Sequence, residues 1–278
     1  MLAPAWSSAD IEKFKSCLYP AGTTIIVTPG KLAFEVIEDG HHYSINPESD
    51  DVFELLFDTI AALNLTVDQI VHAWFLEHES NGNLNNLDTD LCLGIHAAHA
   101  CARGVSKLST PEKVQLDFLT VGGQFVTGVE LIYPMASSLI GPAKVIPLEY
   151  PNINCRHLDI EFDIANLQPD SYLADVLSCT HLSGVFALRH GFLWEPAVSQ
   201  VQLIDDQSNK IKNGGSYLIV GGLGGVGLSI AEYLVNNYNA HLTLTSRNGR
   251  PQRADEDTEA AKRLALLEKI ESLSLIHI

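Results

Sequence analysis

The amino-acid sequence predicts an α/β protein with Rossmann-like, doubly wound parallel sheets, on three observations. Short apolar runs alternate with helical stretches along most of the 278 residues, which is typical of parallel sheets. Between Ser216 and Arg247, an apolar run is followed by a glycine-rich turn, a helical run and a second apolar run. Hydrophobic residues form 46% of the chain and charged residues 18%, as expected of a folded protein.

The chain is predicted to divide into three parts. Residues 1–204 read as a degenerate nucleotide fold without a phosphate site, and residues 216–278 as the start of a second nucleotide fold. Residues 205–215 are polar and end in Gly214-Gly215, which favours a linker.

In the first part, apolar periodicity and turn residues set the elements. Helices are predicted at 8–18, 50–63, 91–105, 135–148 and 170–179, with Pro142 as the position of a kink. Strands are predicted at 23–28, 31–37, 43–45, 70–75, 114–121, 156–160, 185–188 and 198–204, the last two as edge strands. No strand is expected before Ser8, which suggests that the opening of the fold is cut.

No strand of this first part is followed by a complete glycine motif. Pro29, which lacks an N–H donor, follows the first strand. Gly122-Gly123 follows the strand at 114–121, but the spacing of the later glycines fails. We therefore expect a scaffold here.

In the second part, Tyr217 to Val220 reads as a buried parallel strand, and five glycines follow within seven positions. Val226, Ile230 and Leu234 then recur every four residues, as on one face of a helix. A second strand is predicted at 241–245, a helix at 256–271 and the start of a third strand at 273–278. A parallel sheet of so few strands leaves an open edge, so this segment is expected to be truncated.

The glycine turn is predicted to bind the pyrophosphate of a dinucleotide. Its glycines fit both G-x-G-x-x-G and G-x-x-x-G-x-G, which permit a tight turn and close approach of backbone to phosphate. The free N–H groups of the helix that follows would face the phosphates. The candidate binding residues are Gly221, Gly222, Leu223, Gly224, Gly225, Val226 and Gly227. The alternative is an ordinary glycine-rich turn in an α/β domain.

The end of the second strand favours NADPH over NADH. An NAD site usually has an acidic residue here to bind the ribose 2′-OH, but Ser246 and Arg247 follow Thr245, and the next acid is Asp255. The planar, permanently charged guanidinium of Arg247 suits a 2′-phosphate. Ser246 and Arg247 complete the candidate cofactor site; the alternative is that Arg247 is merely a solvated surface charge.

The glycine turn and the Ser246-Arg247-Asn248-Gly249 segment resemble the start of the catalytic half of a ketoreductase domain from a modular polyketide synthase, a short-chain dehydrogenase. Residues 70–76, 140–151 and 155–159 resemble the structural half of that family. The resemblance is specific in the glycine turn and in 140–159. Val220 departs from it, since the family usually has Thr there, but the backbone carries the phosphate contacts.

This resemblance implies NADPH-dependent reduction of a β-ketoacyl group, held as a thioester on the phosphopantetheine of an acyl carrier protein, to a β-hydroxyacyl group. It also implies neighbouring synthase domains as partners, and a Ser-Tyr-Lys set for proton transfer. No lysine of this chain has a tyrosine four residues before it, so the Tyr-x-x-x-Lys segment is lacking and no catalytic residue is assigned. We expect this chain alone to be inactive.

The composition of the chain argues against several other classes of protein. The net charge of −17 argues against nucleic-acid binding, and no apolar run is long enough to span a membrane. Five scattered cysteines without Cys-x-x-Cys spacing suit reduced thiols in the cytoplasm. His96 and His99 lack a convincing third ligand, so no metal is predicted.

Two alternatives to the enzyme fragment stay open. A non-catalytic structural module would organise neighbouring synthase domains or bind cofactor weakly, as the lack of Tyr-x-x-x-Lys allows. A small free-standing short-chain dehydrogenase is a weaker alternative, because the long first part counts against it.

Overall fold

The computed structural model describes most of the chain and divides it into two compact units, Met1–Val198 and Ser199–Ile278. The described residues are 1–16, 23–38, 41–49, 51–76, 87–108, 113–161, 172–180, 182–201, 210–247, 249–250, 258–273 and 276–277. Residues 202–209 of the expected boundary region and Asn248 lie outside them. The linker at 205–215 therefore stays a prediction.

The first unit contains eight described strands. They are β1 Ile26–Pro29, β2 Phe34–Glu38, β3 His42–Ile45, β4 Gln69–Phe75, β5 Val114–Thr120, β6 Ile153–Ile160, β7 Gly184–Arg189 and β8 Phe192–Trp194. Strands β4 to β8 form one sheet in that order, parallel except for the final β7–β8 pair. The order β1-β3-β2 forms a smaller sheet in which β2 and β3 pair antiparallel.

The helices of the first unit cover both faces of the larger sheet. They are α1 Ser8–Ser16, α2 Val52–Ala62, α3 Leu87–Leu91, α4 Ala97–Ser106, α5 Ile140–Glu149 and α6 Tyr172–Ser178. One buried cluster unites α2, α4 and α5 with sheet residues such as Ile70 and Leu116. A second cluster unites α1 and α6 with Val71 and Leu158 on the opposite face. Neighbouring strand residues enter different clusters because successive side chains alternate between faces, so the sheet is doubly wound.

No named strand precedes Ser8 in the described structure, as expected, but isolated bridges join this stretch to the sheets. Leu2 forms parallel bridges with both Val27 of β1 and His72 of β4. Its N–H donates to the Val71 carbonyl at 2.8 Å, and its carbonyl accepts from the Ala73 N–H at 2.8 Å. Only three residues take part, which is too short a stretch for periodicity to reveal.

The last edge strand of this unit also differs from the sequence expectation. The expected strand at 198–204 is not formed in its described residues 198–201; β8 instead begins directly after His190-Gly191. His190 and Gly191 both have positive φ, 51° and 80°, which is the geometry of a two-residue hairpin turn. The correct pairing is Ala187 with Trp194, Leu188 with Leu193 and Arg189 with Phe192.

Two helices are less regular than predicted. Between α3 and α4 the residues Cys92–His96 form a π-helical turn, so the predicted helix at 91–105 is the central part of a longer, composite one. Residues Ala136–Leu139 form a 3₁₀ turn before α5. Pro142 lies in the first turn of α5, where its missing N–H would have no helical partner in any case.

The second unit is a smaller parallel sheet with helices on one side. Its strands are β9 Ser216–Val220, β10 His241–Thr245 and β11 Ile276–His277, in the order β11-β10-β9, and its helices are α7 Gly225–Tyr238 and α8 Glu259–Leu273. Leu242 and Leu244 of β10 are buried against α7 and α8. Leu218 and Val220 of β9 lie on the other face and are exposed. In the described part of the chain, no helix is long and apolar enough to span a bilayer.

Candidate dinucleotide-binding site

The candidate site begins where β9 ends and the chain turns at Gly221. Gly221 has a φ of 74°, a conformation that L side chains rarely adopt, and a Cβ placed on it would meet no atom within 4 Å. The turn therefore uses glycine for its backbone angle, and leaves open space beside it.

Gly222 and Gly227 are required for close packing. A Cβ on Gly222 would lie 2.9 Å from the Ile219 carbonyl oxygen and from Leu244. A Cβ on Gly227 would lie 2.7 Å from the Cα of Gly222 and from the Gly221 carbonyl oxygen. These contacts bring the first turn of α7 directly against the turn that precedes it, as the third glycine of the motif does.

The amino end of α7 has an open set of backbone donors. Its N-cap is Gly224, which has no side chain to accept a hydrogen bond, and the Leu228 N–H makes the first helical bond, to Gly224, at 2.9 Å. The N–H groups of Gly225, Val226 and Gly227 precede that bond and have no acceptor within the described residues. Such a helix end attracts anions, because free N–H groups and the helix dipole act together.

The two residues of the turn that are not glycine, Leu223 and Val226, differ in burial. Leu223 is buried in the hydrophobic cluster of the second unit and anchors the turn. Val226 is 77% exposed, so within its own unit it packs against little. Val220, the departure from the family pattern, is also exposed, and the backbone path of β9 into the turn is intact.

A backbone bond joins the glycine turn to the end of β10. The Gly222 N–H donates to the Thr245 carbonyl at 2.9 Å, so the two residues that follow Thr245 lie next to the turn. Both Ser246 and Arg247 are exposed. This bond joins residues 23 positions apart, so local sequence patterns do not predict it.

Arg247 has no ion pair with any described residue, whereas its neighbour Arg250 is fully engaged. The two terminal nitrogens of Arg250 donate to the Glu271 carboxylate at 2.7 and 2.8 Å. Arg247 is therefore the cation near the turn whose charge is not neutralised within the described part of the chain. This arrangement fits a ligand that carries a phosphate beyond its pyrophosphate.

The site has the donors to bind such a ligand. The open space at Gly221 and Gly225 and the unbonded amides of α7 fit a pyrophosphate. The described residues contain no group of three His, Cys, Asp or Glu side chains able to hold a metal ion. The fold and this turn thus define a protein of the Rossmann type.

Comparison with protein-family models identifies both units. A model described as "Beta-ketoacyl synthase-like, N-terminal" matches residues 7–177, more than half of the chain. A model described as "KR domain" matches residues 215–274. The chain therefore belongs to the family described as "Beta-ketoacyl synthase-like, N-terminal", and its second unit matches the KR domain.

Proteins of similar sequence are polyketide synthases. The chain is 44% identical over 267 residues to "Polyketide synthase PksM" of Bacillus subtilis (strain 168), and the match covers 89% of the chain. The chain spans only 6% of the length of that relative.

Solved structures show the same fold. The multidomain structure titled "Adenylation, ketoreductase, and pseudo Asub multidomain structure of a keto acid-selecting NRPS module" has a TM-score of 0.79 and 23% identity, and the match covers 99% of this chain and 23% of that one. "The first ketoreductase of the tylosin PKS" has a TM-score of 0.67 and 19% identity, and the match covers 99% of this chain and 52% of that one. The Rossmann-like α/β fold predicted from the sequence is confirmed.

Proposed function

We propose that this chain supplies the scaffold and the NADPH-binding turn of a ketoreductase that reduces a β-ketoacyl thioester on an acyl carrier protein to a β-hydroxyacyl thioester. The observation that carries the proposal is the glycine turn, where three amides of α7 have no acceptor among the described residues and the Gly222–Thr245 bond holds the end of β10 next to the turn. The match of residues 215–274 to the KR domain supports the reaction class.

The residues of this chain bind and orient the cofactor in this proposal. The amides of Gly225, Val226 and Gly227 would hold the pyrophosphate, and Gly221 and Gly222 keep side chains out of its way. Ser246 and Arg247 would hold the 2′-phosphate by a hydroxyl bond and a charged fork. NADPH, once bound, supplies hydride to the ketone carbon.

The choice of cofactor is tested by titrating NADPH and NADH into the protein and its variants, with nicotinamide fluorescence as the readout. Arg247→Gln should weaken NADPH binding about tenfold or more and leave NADH binding unchanged, because a charged hydrogen bond contributes on the order of 1.5–3 kcal/mol. Arg250→Gln is the matched control, since Glu271 already engages Arg250. Equal affinity of the wild type for both cofactors would contradict the assignment of Arg247 to the cofactor site.

Turnover is expected to need residues that this sequence does not contain. The family performs proton transfer with Tyr-x-x-x-Lys, and none of the 278 residues form that pair. The chain alone should therefore bind NADPH without oxidising it in the presence of a β-ketoacyl thioester. Steady consumption of NADPH above the substrate-free rate would contradict this expectation.

A second candidate function is a non-catalytic scaffold for neighbouring synthase domains, favoured by that same lack of Tyr-x-x-x-Lys. The multidomain character of the similar proteins supports partner domains under either proposal. NADPH binding distinguishes the two candidate functions, because a scaffold does not need to bind NADPH tightly or through its 2′-phosphate. We place the protein in the cytoplasm, since the four described cysteines are all free.

A further inference from the structure

The first unit contains a second glycine turn at the carboxyl end of a parallel strand. Gly122 follows β5 with a φ of 72°, close to the 74° of Gly221 after β9, and each is followed by another glycine. The two turns thus start with nearly the same φ. In nucleotide folds, turns at this edge of the sheet direct N–H groups toward an anion.

The N–H groups of this second turn are already occupied by a carboxylate of the protein. Gly123 donates to Asp159 Oδ1 at 2.7 Å, and Gln124 donates to Asp159 Oδ2 at 3.1 Å. Asp159 lies near the end of β6, the neighbouring parallel strand, and is fully buried. One carboxylate therefore bridges two successive backbone donors.

Two side chains complete the set of donors around the same carboxylate. The Thr120 hydroxyl donates to Oδ1 at 2.6 Å, and the Arg189 guanidinium donates to Oδ2 at 2.5 Å. Thr120 is fully buried and Arg189 is 2% exposed. Backbone amides, a hydroxyl and a guanidinium are the donors that proteins use for phosphate.

The turn is also shaped around this carboxylate. A Cβ on Gly123 would lie 3.0 Å from both Asp159 Oδ1 and the Thr120 hydroxyl oxygen. Glycine at 123 therefore allows the carboxylate to approach the backbone, which is the role that glycine has beside a bound phosphate.

We propose that Gly122–Gln124 is an anion-binding turn whose ligand is the protein's own Asp159 carboxylate. The first unit then excludes a nucleotide phosphate by filling the position from within, in addition to lacking the remaining glycines. Vacating the position should convert it into a binding site for a small oxyanion of carboxylate size.

The test removes the carboxylate and restores it from solution. Asp159→Ala deletes a carboxylate and leaves space for formate, so sodium formate should raise the Tm of this variant saturably by several degrees over sodium chloride at equal ionic strength. Asp159→Asn should show no formate effect, because the carboxamide still fills the space.

Asp117→Ala is the matched control for the backbone amides. Asp117 is an equally buried carboxylate that pairs with Arg156, but its recorded donors are side chains. Formate should stabilise Asp159→Ala more than Asp117→Ala. Equal rescue of both variants, or no saturable rescue of Asp159→Ala, would overturn the proposal.

Amide hydrogen exchange provides a readout should Asp159→Ala fail to fold. In the wild type the Gly123 and Gln124 amides should be protected. In Asp159→Asn at least one should exchange about tenfold faster, because a carboxamide offers only one acceptor oxygen. Unprotected wild-type amides, or unchanged protection in Asp159→Asn, would contradict the assignment.

Discussion

His72 is a buried side chain of β4 whose two ring nitrogens both lack a hydrogen-bond partner within the described residues. It lies between the rings of Trp74 and Phe118, with ring centroids 5.3 and 5.7 Å away. Burial lowers the pKa of His72 to about 4, so the imidazole is neutral in the folded protein at pH 7. The position costs stability in two ways, through an unsatisfied polar group and through sensitivity to acid.

His72→Phe should stabilise the protein by about 1 kcal/mol at pH 7.5, because it removes unsatisfied nitrogens and keeps an aromatic ring. The advantage should grow as the pH falls. The unfolded chain binds a proton near pH 6.5 and the folded chain only near pH 4, so wild-type stability decreases through that window. At pH 5 the added difference is up to about 2 kcal/mol. Urea unfolding at both pH values measures it, and an equal difference at both would contradict the stated pKa.

Gly225 and Gly227 of α7 should respond oppositely to alanine. Gly225 has open space around it and lies in the first helical turn, so Gly225→Ala should stabilise the second unit by about 0.5–1 kcal/mol. Gly227→Ala should destabilise it by about 1–3 kcal/mol, because the methyl group would contact the Gly222 backbone. Unfolding followed by far-UV circular dichroism compares them. Similar effects of the two variants would contradict the tight approach of α7 to the turn.

At the scale of elements, α6 is a short helix whose end is held by a buried arginine of the sheet. Arg156 donates to the Val176 and Cys179 carbonyls at 2.6 and 3.1 Å, and its Nε donates to Asp117 at 2.8 Å. The carbonyls at a helix end have no helical donors, so a guanidinium satisfies them and complements the helix dipole. One side chain thus couples α6 to two strands.

Arg156→Leu should cost about 3–5 kcal/mol, because it leaves the Asp117 carboxylate buried and unpaired. The double variant Arg156→Leu with Asp117→Leu should recover much of that loss, although the α6 carbonyls stay unsatisfied. Denaturant unfolding of both single variants and the double variant gives the coupling free energy. Additive losses would show that the two side chains act independently.

The sequence predicted most elements, and its errors lie where long-range contacts decide. Apolar periodicity located α2, which has one buried face, whereas the apolar runs of β4 and β5 are buried at nearly every position. The strand after β7 was predicted at 198–204 instead of at Phe192–Trp194, because the turn at His190 requires a non-glycine residue at positive φ, which composition does not signal.

The candidate site was predicted because its residues are contiguous in the chain. The local spacing of the glycines determines the geometry of the turn from Gly221 to Gly227. By contrast, the donors around Asp159 come from residues 30 to 39 positions away and could not be paired from sequence. Binding by Ser246 and Arg247 stays a prediction until the cofactor is titrated.

At the scale of the whole molecule, the two units differ in how their sheets are buried. The larger sheet of Met1–Val198 has hydrophobic clusters on both faces, whereas the second unit has one cluster, on one face. Stability grows with the apolar area that folding removes from water. The second unit should therefore unfold at lower denaturant concentration.

Tryptophan fluorescence distinguishes the units, because Trp6, Trp74 and Trp194 all belong to the first one. In a urea titration, far-UV circular dichroism should show an early step that tryptophan fluorescence does not share. NADPH should shift only that early step to higher urea, since ligand binding stabilises the unit that binds it. Coincident curves from both probes would contradict independent unfolding.

Strand β9 is one of the two edge strands of its sheet among the described residues, and its Leu218 and Val220 side chains are exposed. The main-chain N–H and C=O groups of such an edge can pair with another extended segment, and apolar side chains lie beside them. The strand that leads into the glycine turn is thus a surface through which copies of the second unit can associate. Concentrated samples should associate through it, and dilute ones should give the truer cofactor affinity.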